Sequence, residues 1–155
     1  MELAETDESR FTLLANRLSI REKLIHLRTQ LGVANIAIQG ELVGPGVQGN
    51  KYKLTEHELF VFNILIFDDH SRSYFPPHEV ARLAADLGLK SCPIISTIEL
   101  NHTIDEIVAM SDGDSLIGPC IREGLVFRPE VPATEPKLGF VSFKAISPKF
   151  LLKYD

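Results

Sequence analysis

A glycine-rich segment in the first third of the chain constrains the fold most strongly. Residues 34–40 form an apolar run rich in β-formers, and Glu41 stands where the predicted strand should end. Three glycines and one proline follow Glu41 within nine residues. Because glycine lets the backbone turn sharply and approach a ligand closely, this loop is either a simple turn beside a solvated glutamate or part of a binding site.

The remaining pattern predicts an α+β domain with mostly antiparallel sheets and a few helices. Capping boxes predict helices after Ser19 and Thr103, the first ending at Gly32 and the second near residue 110. Another helix is expected over residues 78–87. Strands are expected over residues 34–40, 58–67, 92–98, 124–128 and 139–146, with a hairpin return over 72–75.

Two further segments bear on function. Residues 122–128, Arg-Glu-Gly-Leu-Val-Phe-Arg, place a carboxylate and a glycine directly before a β-rich run. Residues 141–147, Val-Ser-Phe-Lys-Ala-Ile-Ser, form a strand pattern that carries one lysine, Lys144. Glu123 is a hard oxygen donor suited to Mg²⁺ or Mn²⁺, and a strand lysine provides a point charge for a phosphate. The alternative is a glutamate at a strand edge and a lysine at a solvated rim.

Together with residues 39–50, these segments resemble motifs III, IV and V of the covalent nucleotidyltransferases. The similarity is greatest to the ATP-dependent RNA ligases, and residues 60–64, Phe-Val-Phe-Asn-Ile, fall where that superfamily has motif IIIa. The motifs occur in the family's order over residues 39–153. The resemblance therefore implies that the chain folds as part of a ligase adenylation domain.

The resemblance also implies a role for each matching residue. Glu41 would accept a hydrogen bond from the ribose of ATP, and Phe62 would stack on adenine, although core packing is the alternative for Phe62. Glu123 would hold Mg²⁺ or Mn²⁺, and Lys144 would contact the phosphate of the AMP moiety. Motif V usually has a second lysine two residues away, which is absent here; Lys137 and Lys149 are candidates to replace it.

One departure from the family pattern concerns the nucleophile. The family forms its lysine-AMP intermediate on a Lys-x-Asp-Gly motif, which the 155 residues lack; Lys23 is the only lysine before Glu41 and has no following Asp-Gly. We therefore expect a single domain over residues 1–155 that represents the C-terminal portion of a nucleotidyltransferase domain, with residues 1–10 flexible. We expect this polypeptide not to self-adenylylate.

The family resemblance implies ATP-dependent RNA end joining in RNA repair, through lysine-AMP and RNA-adenylate intermediates, with RNA ends or a nicked duplex as partners. Two alternatives are a non-catalytic relative that binds nucleotide or RNA, and a scaffold with no active site. A surface left uncovered by a missing segment would expose apolar area and favour self-association.

Composition excludes several other classes of protein. The net charge of −5 argues against nonspecific polyanion binding, and no apolar run reaches the roughly 20 residues of a membrane span. Two cysteines are too few for a disulfide framework, which favours a reducing, cytoplasmic setting. No Ser-His-Asp arrangement, Walker motif or histidine ligand spacing is present.

Overall fold

The computed structural model describes residues 9–137 and 139–154 of the chain. In chain order its elements are α1 (Arg10–Arg17), α2 (Ile20–Leu31), β1 (Ile36–Val43), β2 (Glu58–Phe67), β3 (Arg72–Tyr74), α3 (Pro77–Asp86), β4 (Lys90–Ser91), α4 (Ile104–Ser111), β5 (Gly124–Phe127), β6 (Thr134–Glu135), β7 (Gly139–Phe140), β8 (Phe143–Ile146) and α5 (Pro148–Tyr154). Within the described ranges, no helix is both long and apolar enough to cross a membrane.

The larger sheet contains β1 to β4. Strands β1, β2 and β3 are antiparallel neighbours in that order, and β4 pairs with β2 in parallel. Helices α2 and α3 cover one face of this sheet because both contribute to its apolar core. The core cluster consists of Leu27, Val61, Ile64, Val80, Leu83, Ala84, Leu87 and Leu89.

A β-bulge at Phe62 changes the direction of the side chains along β2. Gln39 pairs with Asn63 and Gly40 pairs with Val61, so Phe62 has no partner in β1. An extra residue shifts the alternation of the strand, which lets both Val61 and Ile64 face the helices although they are three positions apart. The bulge therefore lies on the boundary between the apolar core and the opposite face of the sheet.

The C-terminal part contains two small antiparallel sheets, β5 with β8 and β6 with β7. Phe127 and Phe143 stack with their ring centroids 4.8 Å apart. The guanidinium of Arg122 donates to the carbonyl oxygens of Met110, Ser111 and Asp112, which closes the C-terminal end of α4.

Most predicted helices are confirmed, with one error in capping. Helix α2 ends at the predicted Gly32, which caps it with a left-handed φ of 66°, and Thr103 and Glu106 form the predicted capping box of α4. The capping box at Ser19 is wrong: Ser19 has a φ of 51° and makes no side-chain cap. Helix α1, which was not predicted, ends directly before Ser19 and forces a tight turn there.

Three strand predictions need correction. Strand β1 extends through Glu41 to Val43, so Glu41 does not end the strand but pairs with Phe60. The predicted strand over 92–98 is wrong, because β4 stops at Ser91. Beyond the part of β2 that pairs with β4, the Phe62 carbonyl oxygen accepts a hydrogen bond from Arg128, and β3 pairs with residues 65–67. The single strand predicted over 139–146 is instead the two short strands β7 and β8.

Candidate active site

The face of the larger sheet that lies opposite the helices is polar around Glu41. Gln39 and Glu41 are exposed and alternate along β1 with Ile38, which packs against the core. The Asn63 side-chain amide donates to Oε1 of Gln39 over 2.8 Å. This face therefore presents a carboxylate and two amide side chains to solvent.

The glycine-rich loop follows β1 and is held by contacts from distant residues. Arg10 Nη1 donates to the Gly46 carbonyl oxygen over 2.7 Å, and Nε2 of His57 lies 2.7 Å from the Pro45 carbonyl oxygen. Gly44 has a φ of 133°, and a Cβ atom there would lie 2.7 Å from the Glu56 carbonyl oxygen. The loop consequently has a shape that only glycine allows at this position.

Two depressions border this loop. The first is open and is lined by residues that include Arg10, Glu41, Gly46 and Gln48. The second lies on the C-terminal side of the loop and is lined by residues that include Asn50, Lys51, Tyr52, Cys120, Glu123 and Phe150. Glu41 and Glu123 thus belong to neighbouring depressions that share the loop as a wall.

Glu123 and Lys144 form an ion pair. Glu123 immediately precedes β5, and Lys144 lies on β8 opposite Val126. The side chain of Glu123 is 43% exposed and that of Lys144 is 45% exposed. Ion pairs at this exposure contribute little to stability, so a cation and a phosphate could separate the two groups at small cost.

Phe62 contacts Arg128, a residue that the sequence interpretation did not assign to the site. The Arg128 guanidinium lies over the Phe62 ring, with its carbon 5.5 Å from the ring centroid. Nη1 of Arg128 donates to the Phe62 carbonyl oxygen over 2.6 Å and to Oδ1 of Asn63 over 2.9 Å. These contacts join the end of the motif IV segment to the bulge of β2.

Tyr52 and Cys92 are partly buried groups whose pKa values are raised near the candidate site. Burial, together with the smaller effects of the nearby Glu41 and Glu123 carboxylates, raises the pKa of the Tyr52 phenol to about 12. Burial also raises the pKa of the Cys92 thiol to about 11, with Glu41 adding to the shift and Arg128 opposing it. Glu41 and Glu123 therefore both act on Tyr52, and Glu41 and Arg128 both act on Cys92.

Of the four predicted site residues, Glu123 and Lys144 are in direct contact. Glu41 lies in the depression on the other side of the glycine-rich loop from Glu123, and Phe62 contacts Arg128. Within residues 9–137 and 139–154, no direct hydrogen bond or ion pair joins Phe62 to Glu41, Glu123 or Lys144. Their individual roles stay predictions.

The donor set around Glu123 fits a metal that takes few protein ligands. In the described part of the chain, no three His, Cys, Asp or Glu side chains form a group that could hold a metal. Mg²⁺ often uses one or two carboxylates together with substrate phosphates. The single, half-exposed carboxylate of Glu123 is compatible with that mode of binding and incompatible with an all-protein metal cage.

The lysines proposed to complete motif V lie in other environments. Lys149 Nζ lies 3.3 Å from Oδ2 of Asp112, and Lys137 is exposed next to β6. Lys51, which sequence reasoning did not select, borders the depression that contains Glu123. Its Nζ lies 4.2 Å from the ring centroid of Phe150 and 4.8 Å from that of Tyr154. The assignment of Lys137 or Lys149 as the second lysine of motif V stays a prediction.

Comparison with known families identifies the class of protein to which this architecture belongs. The family model described as RNA ligase matches residues 2–146, which is most of the chain. The chain belongs to the RNA ligase family. This confirms the resemblance inferred from the motifs, together with the α+β fold.

Solved structures of Naegleria gruberi RNA ligase are similar to this chain. A mutant with ATP and Mn is 34% identical with a TM-score of 0.77, and the match covers 99% of this chain and 42% of that one. The enzyme with PPi and a mutant with AMP and Mn are each 35% identical with TM-scores of 0.76, at the same coverage. The chain therefore spans 42% of the length of these relatives. Among curated proteins, none matches this chain.

Proposed function

We propose that this chain forms the adenine-nucleotide-binding part of an ATP-dependent RNA ligase. The observation that carries the proposal is the position of the Glu123–Lys144 ion pair and of Glu41 at neighbouring depressions that share the glycine-rich loop. These residues lie within the region that matches the family, and Naegleria structures similar to this chain contain ATP or AMP with Mn.

In this proposal each residue contributes one part of nucleotide binding. Phe62 stacks on adenine, and the Glu41 carboxylate accepts a hydrogen bond from a ribose hydroxyl. Lys144 leaves its ion pair with Glu123 to contact a phosphate, which frees Glu123 for Mg²⁺ or Mn²⁺. A divalent ion bound there would neutralise phosphate charge, which is the main requirement of nucleotidyl transfer.

The reaction that we propose for the ligase is the joining of RNA ends through lysine-AMP and RNA-adenylate intermediates. The residues above bind and orient the nucleotide, but the covalent step needs an amine nucleophile positioned at the α-phosphate. The 155 residues contain no Lys-x-Asp-Gly motif to supply one. We therefore expect this polypeptide to bind nucleotide without forming an adduct that survives denaturation.

Calorimetric titration with AMP in the presence of Mn²⁺ tests the nucleotide site. Charge-assisted contacts to a phosphate contribute about 1.5–3 kcal/mol, so Lys144→Ala should weaken AMP binding about ten- to a hundredfold. Lys23→Ala is the matched control, because Lys23 lies on α2, on the opposite side of the sheet. It should leave the affinity unchanged.

The outcomes separate the alternatives. Equal affinities for the parent chain and Lys144→Ala would show that Lys144 is not at the phosphate. An absence of measurable heat with the parent chain at millimolar AMP would favour a scaffold without a nucleotide site. An equal loss in Lys23→Ala would indicate that the loss reflects net charge and not a contact.

We also propose that the protein acts in the cytoplasm and that copies of this polypeptide associate. Cys92 and Cys120 are both free thiols, as expected in a reducing compartment such as the cytoplasm.

The proposed association rests on an exposed apolar segment. Residues 92–100 lie beside the sheet without regular secondary structure and expose four large apolar side chains: Ile94, Ile95, Ile98 and Leu100. Light scattering after size exclusion tests association, and a monomer at high micromolar concentration would contradict it.

A further inference from the structure

We propose that Arg128 is a positioning residue that orients the ring of Phe62 for stacking on the nucleotide base. This inference rests on the proposed function, because it assigns a purpose to the orientation of Phe62. It adds a residue for which neither the motifs nor the family match suggests a role. Its basis is the set of contacts that Arg128 makes across more than sixty residues of sequence.

Arg128 holds Phe62 at both its backbone and its ring. The hydrogen bond to the Phe62 carbonyl oxygen is 2.6 Å long, and the guanidinium carbon lies 5.5 Å from the Phe62 ring centroid. The same nitrogen, Nη1, binds Oδ1 of Asn63, the next residue in the strand. Arg128 therefore contacts the bulge at three points.

The bulge is the position of β2 that most needs such support. Phe62 lacks a partner in β1, whereas Val61 and Asn63 on either side of it are paired with Gly40 and Gln39. A residue outside the ladder has no neighbour on β1 to define its carbonyl or side-chain direction. Arg128, which directly follows β5, fixes the direction of the Phe62 carbonyl and side chain. Asn63, which Arg128 also binds, is in turn joined to Gln39 of β1 by the 2.8 Å amide hydrogen bond.

The environment of Arg128 does not suggest an ordinary structural ion pair. Arg128 is partly buried, yet among the described residues its guanidinium has no carboxylate within ion-pair distance. It lies instead between two aromatic rings, Phe62 and Phe140, with the second centroid 5.8 Å away. Tyr74 packs against Phe140 at 4.5 Å and extends this aromatic group. Burying a guanidinium without a counter-ion is costly, so its contacts with the bulge must offset that cost.

The arrangement does not enclose the whole Phe62 residue. The guanidinium lies over the ring, and a planar cation on one face of a ring favours the stacking of a base on the other face. Phe62 itself is only partly buried. A base would then bind to a ring whose orientation is already set, which lowers the entropic cost of stacking.

A double-mutant cycle with AMP and Mn²⁺ tests this role. Arg128→Met retains length and apolar contact but loses the charge and the donors. We expect it to weaken AMP binding about three- to tenfold, in the range of coupling between contacting residues. In a Phe62→Leu background the same change should alter the affinity less than about twofold, because the ring on which Arg128 acts is absent.

Two further variants complete the design. Arg128→Lys retains a cation over the ring but loses the fork of donors, so it should lie between the parent and Arg128→Met. Arg82→Met is the matched control, because Arg82 lies on α3 behind the sheet and pairs only with Glu79 and Asp86 among the described contacts. It should leave AMP binding unchanged. Thermal unfolding of every variant shows whether it is folded. If Arg128→Met does not fold, Arg128→Lys is used for the double-mutant cycle in its place.

The possible results are distinct. An equal loss with and without Phe62 would mean that Arg128 acts directly on the nucleotide, and no loss in either background would mean that it has no part in binding; both overturn the inference alone. If the parent chain binds no AMP, the proposed function fails and this inference fails with it.

Discussion

The helix-backed sheet and the C-terminal part of the chain are stabilised in different ways. Among the described residues, fifteen apolar side chains are buried; thirteen precede residue 90, and only Ala145 and Phe150 follow it. The first region therefore has a conventional apolar core. The C-terminal region, residues 104–154, depends on polar contacts instead.

Three polar interactions account for much of the order in the C-terminal region. Arg122 closes helix α4, Ser147 Oγ donates to the Asp112 carboxylate over 2.6 Å, and Arg128 reaches back to β2. The candidate site takes Glu41 and Phe62 from the first region and Glu123 and Lys144 from the second. Because regions with fewer buried apolar contacts open more easily, Glu123 and Lys144 should be lost from the site before Glu41 and Phe62.

The largest expected effect comes from the apolar core. Leu83 lies on α3 and is 2% exposed. Leu83→Ala should lower the free energy of unfolding by about 2–5 kcal/mol, because it removes buried area and leaves a cavity. Urea denaturation followed by circular dichroism measures this loss. Leu152→Ala on α5 is the matched control, since Leu152 is 89% exposed and its change should stay within about 0.5 kcal/mol.

Equal losses in the two variants would contradict the contrast between the regions. They would mean that the exposed face of α5 contributes as much to stability as the buried face of α3, and that the apolar core is not the main source of stability.

The contrast also explains which structural predictions succeeded. Helices α2 and α3 and strand β2 have clear apolar periodicity, because each packs one face against the common core. The strand predicted over 92–98 is wrong although its residues include strong β-formers, because the following part of β2 is bound by Arg128 at Phe62 and by β3 at residues 65–67. Intrinsic preference cannot reveal such competition for an edge, which depends on the tertiary arrangement.

A steric change within the C-terminal sheet should have the next largest effect. Gly124 faces Ile146 in the β5–β8 pair, and a Cβ atom at this position would overlap the Ala145 carbonyl oxygen. Gly124→Ala should therefore displace the strands and cost about 1–3 kcal/mol. Hydrogen exchange should accelerate in β5 and β8 while β1 and β2 keep their protection.

Val126→Ala provides the control on the same strand. Val126 is 52% exposed, so its truncation removes little buried area and should cost less than about 1 kcal/mol. If Gly124→Ala accelerated exchange throughout β1 and β2 as well, the two regions would unfold as one unit and the proposed separation would be wrong.

The candidate site was predictable to the extent that single residues carry its chemistry. Glu41, Phe62, Glu123 and Lys144 were selected from motif order, and of these the structure joins Glu123 and Lys144 directly; the roles of all four stay predictions. Arg128 and Tyr52 were missed because their importance comes from position: Arg128 meets a bulge that no pattern indicated, and Tyr52 lines the same depression as Glu123, which is distant in sequence. The sequence shows that Arg128 is basic, but it does not show that its partner is the bulge at Phe62.

The smallest expected effect concerns two carboxylates, one in each region. Hydrogen bonds from the His70 and Ser71 backbone amides and from the Ser71 hydroxyl lower the pKa of Asp68 in the β2–β3 turn. The hydrogen bond from Ser147 is the main cause that lowers the pKa of Asp112, with Lys149 contributing. Asp68 binds only its own turn, whereas Asp112 connects residues 35 positions apart.

This difference predicts how stability responds to acid. Each carboxylate has a folded pKa below the ordinary value of about 3.9. Its stabilising contribution is therefore complete above that value and is lost as the pH falls through the lower, folded pKa. Asp112→Asn imitates the protonated form, so it should lower the melting temperature at pH 7. The difference from the parent chain should shrink as the pH approaches 3.

Asp68→Asn and Asp114→Asn carry the same change of charge and sharpen the comparison. Asp68→Asn should alter the melting temperature less than Asp112→Asn. Asp68 stabilises only its own four-residue turn, whose ends stay close together without the charge, whereas Asp112 joins α4 to α5. Asp114 is exposed in the turn after α4, so Asp114→Asn should have the smallest effect. If Asp68→Asn were the most damaging of the three, or if the Asp112→Asn difference persisted undiminished at pH 3, the Asp112–Ser147 contact would not be what joins the C-terminal helices.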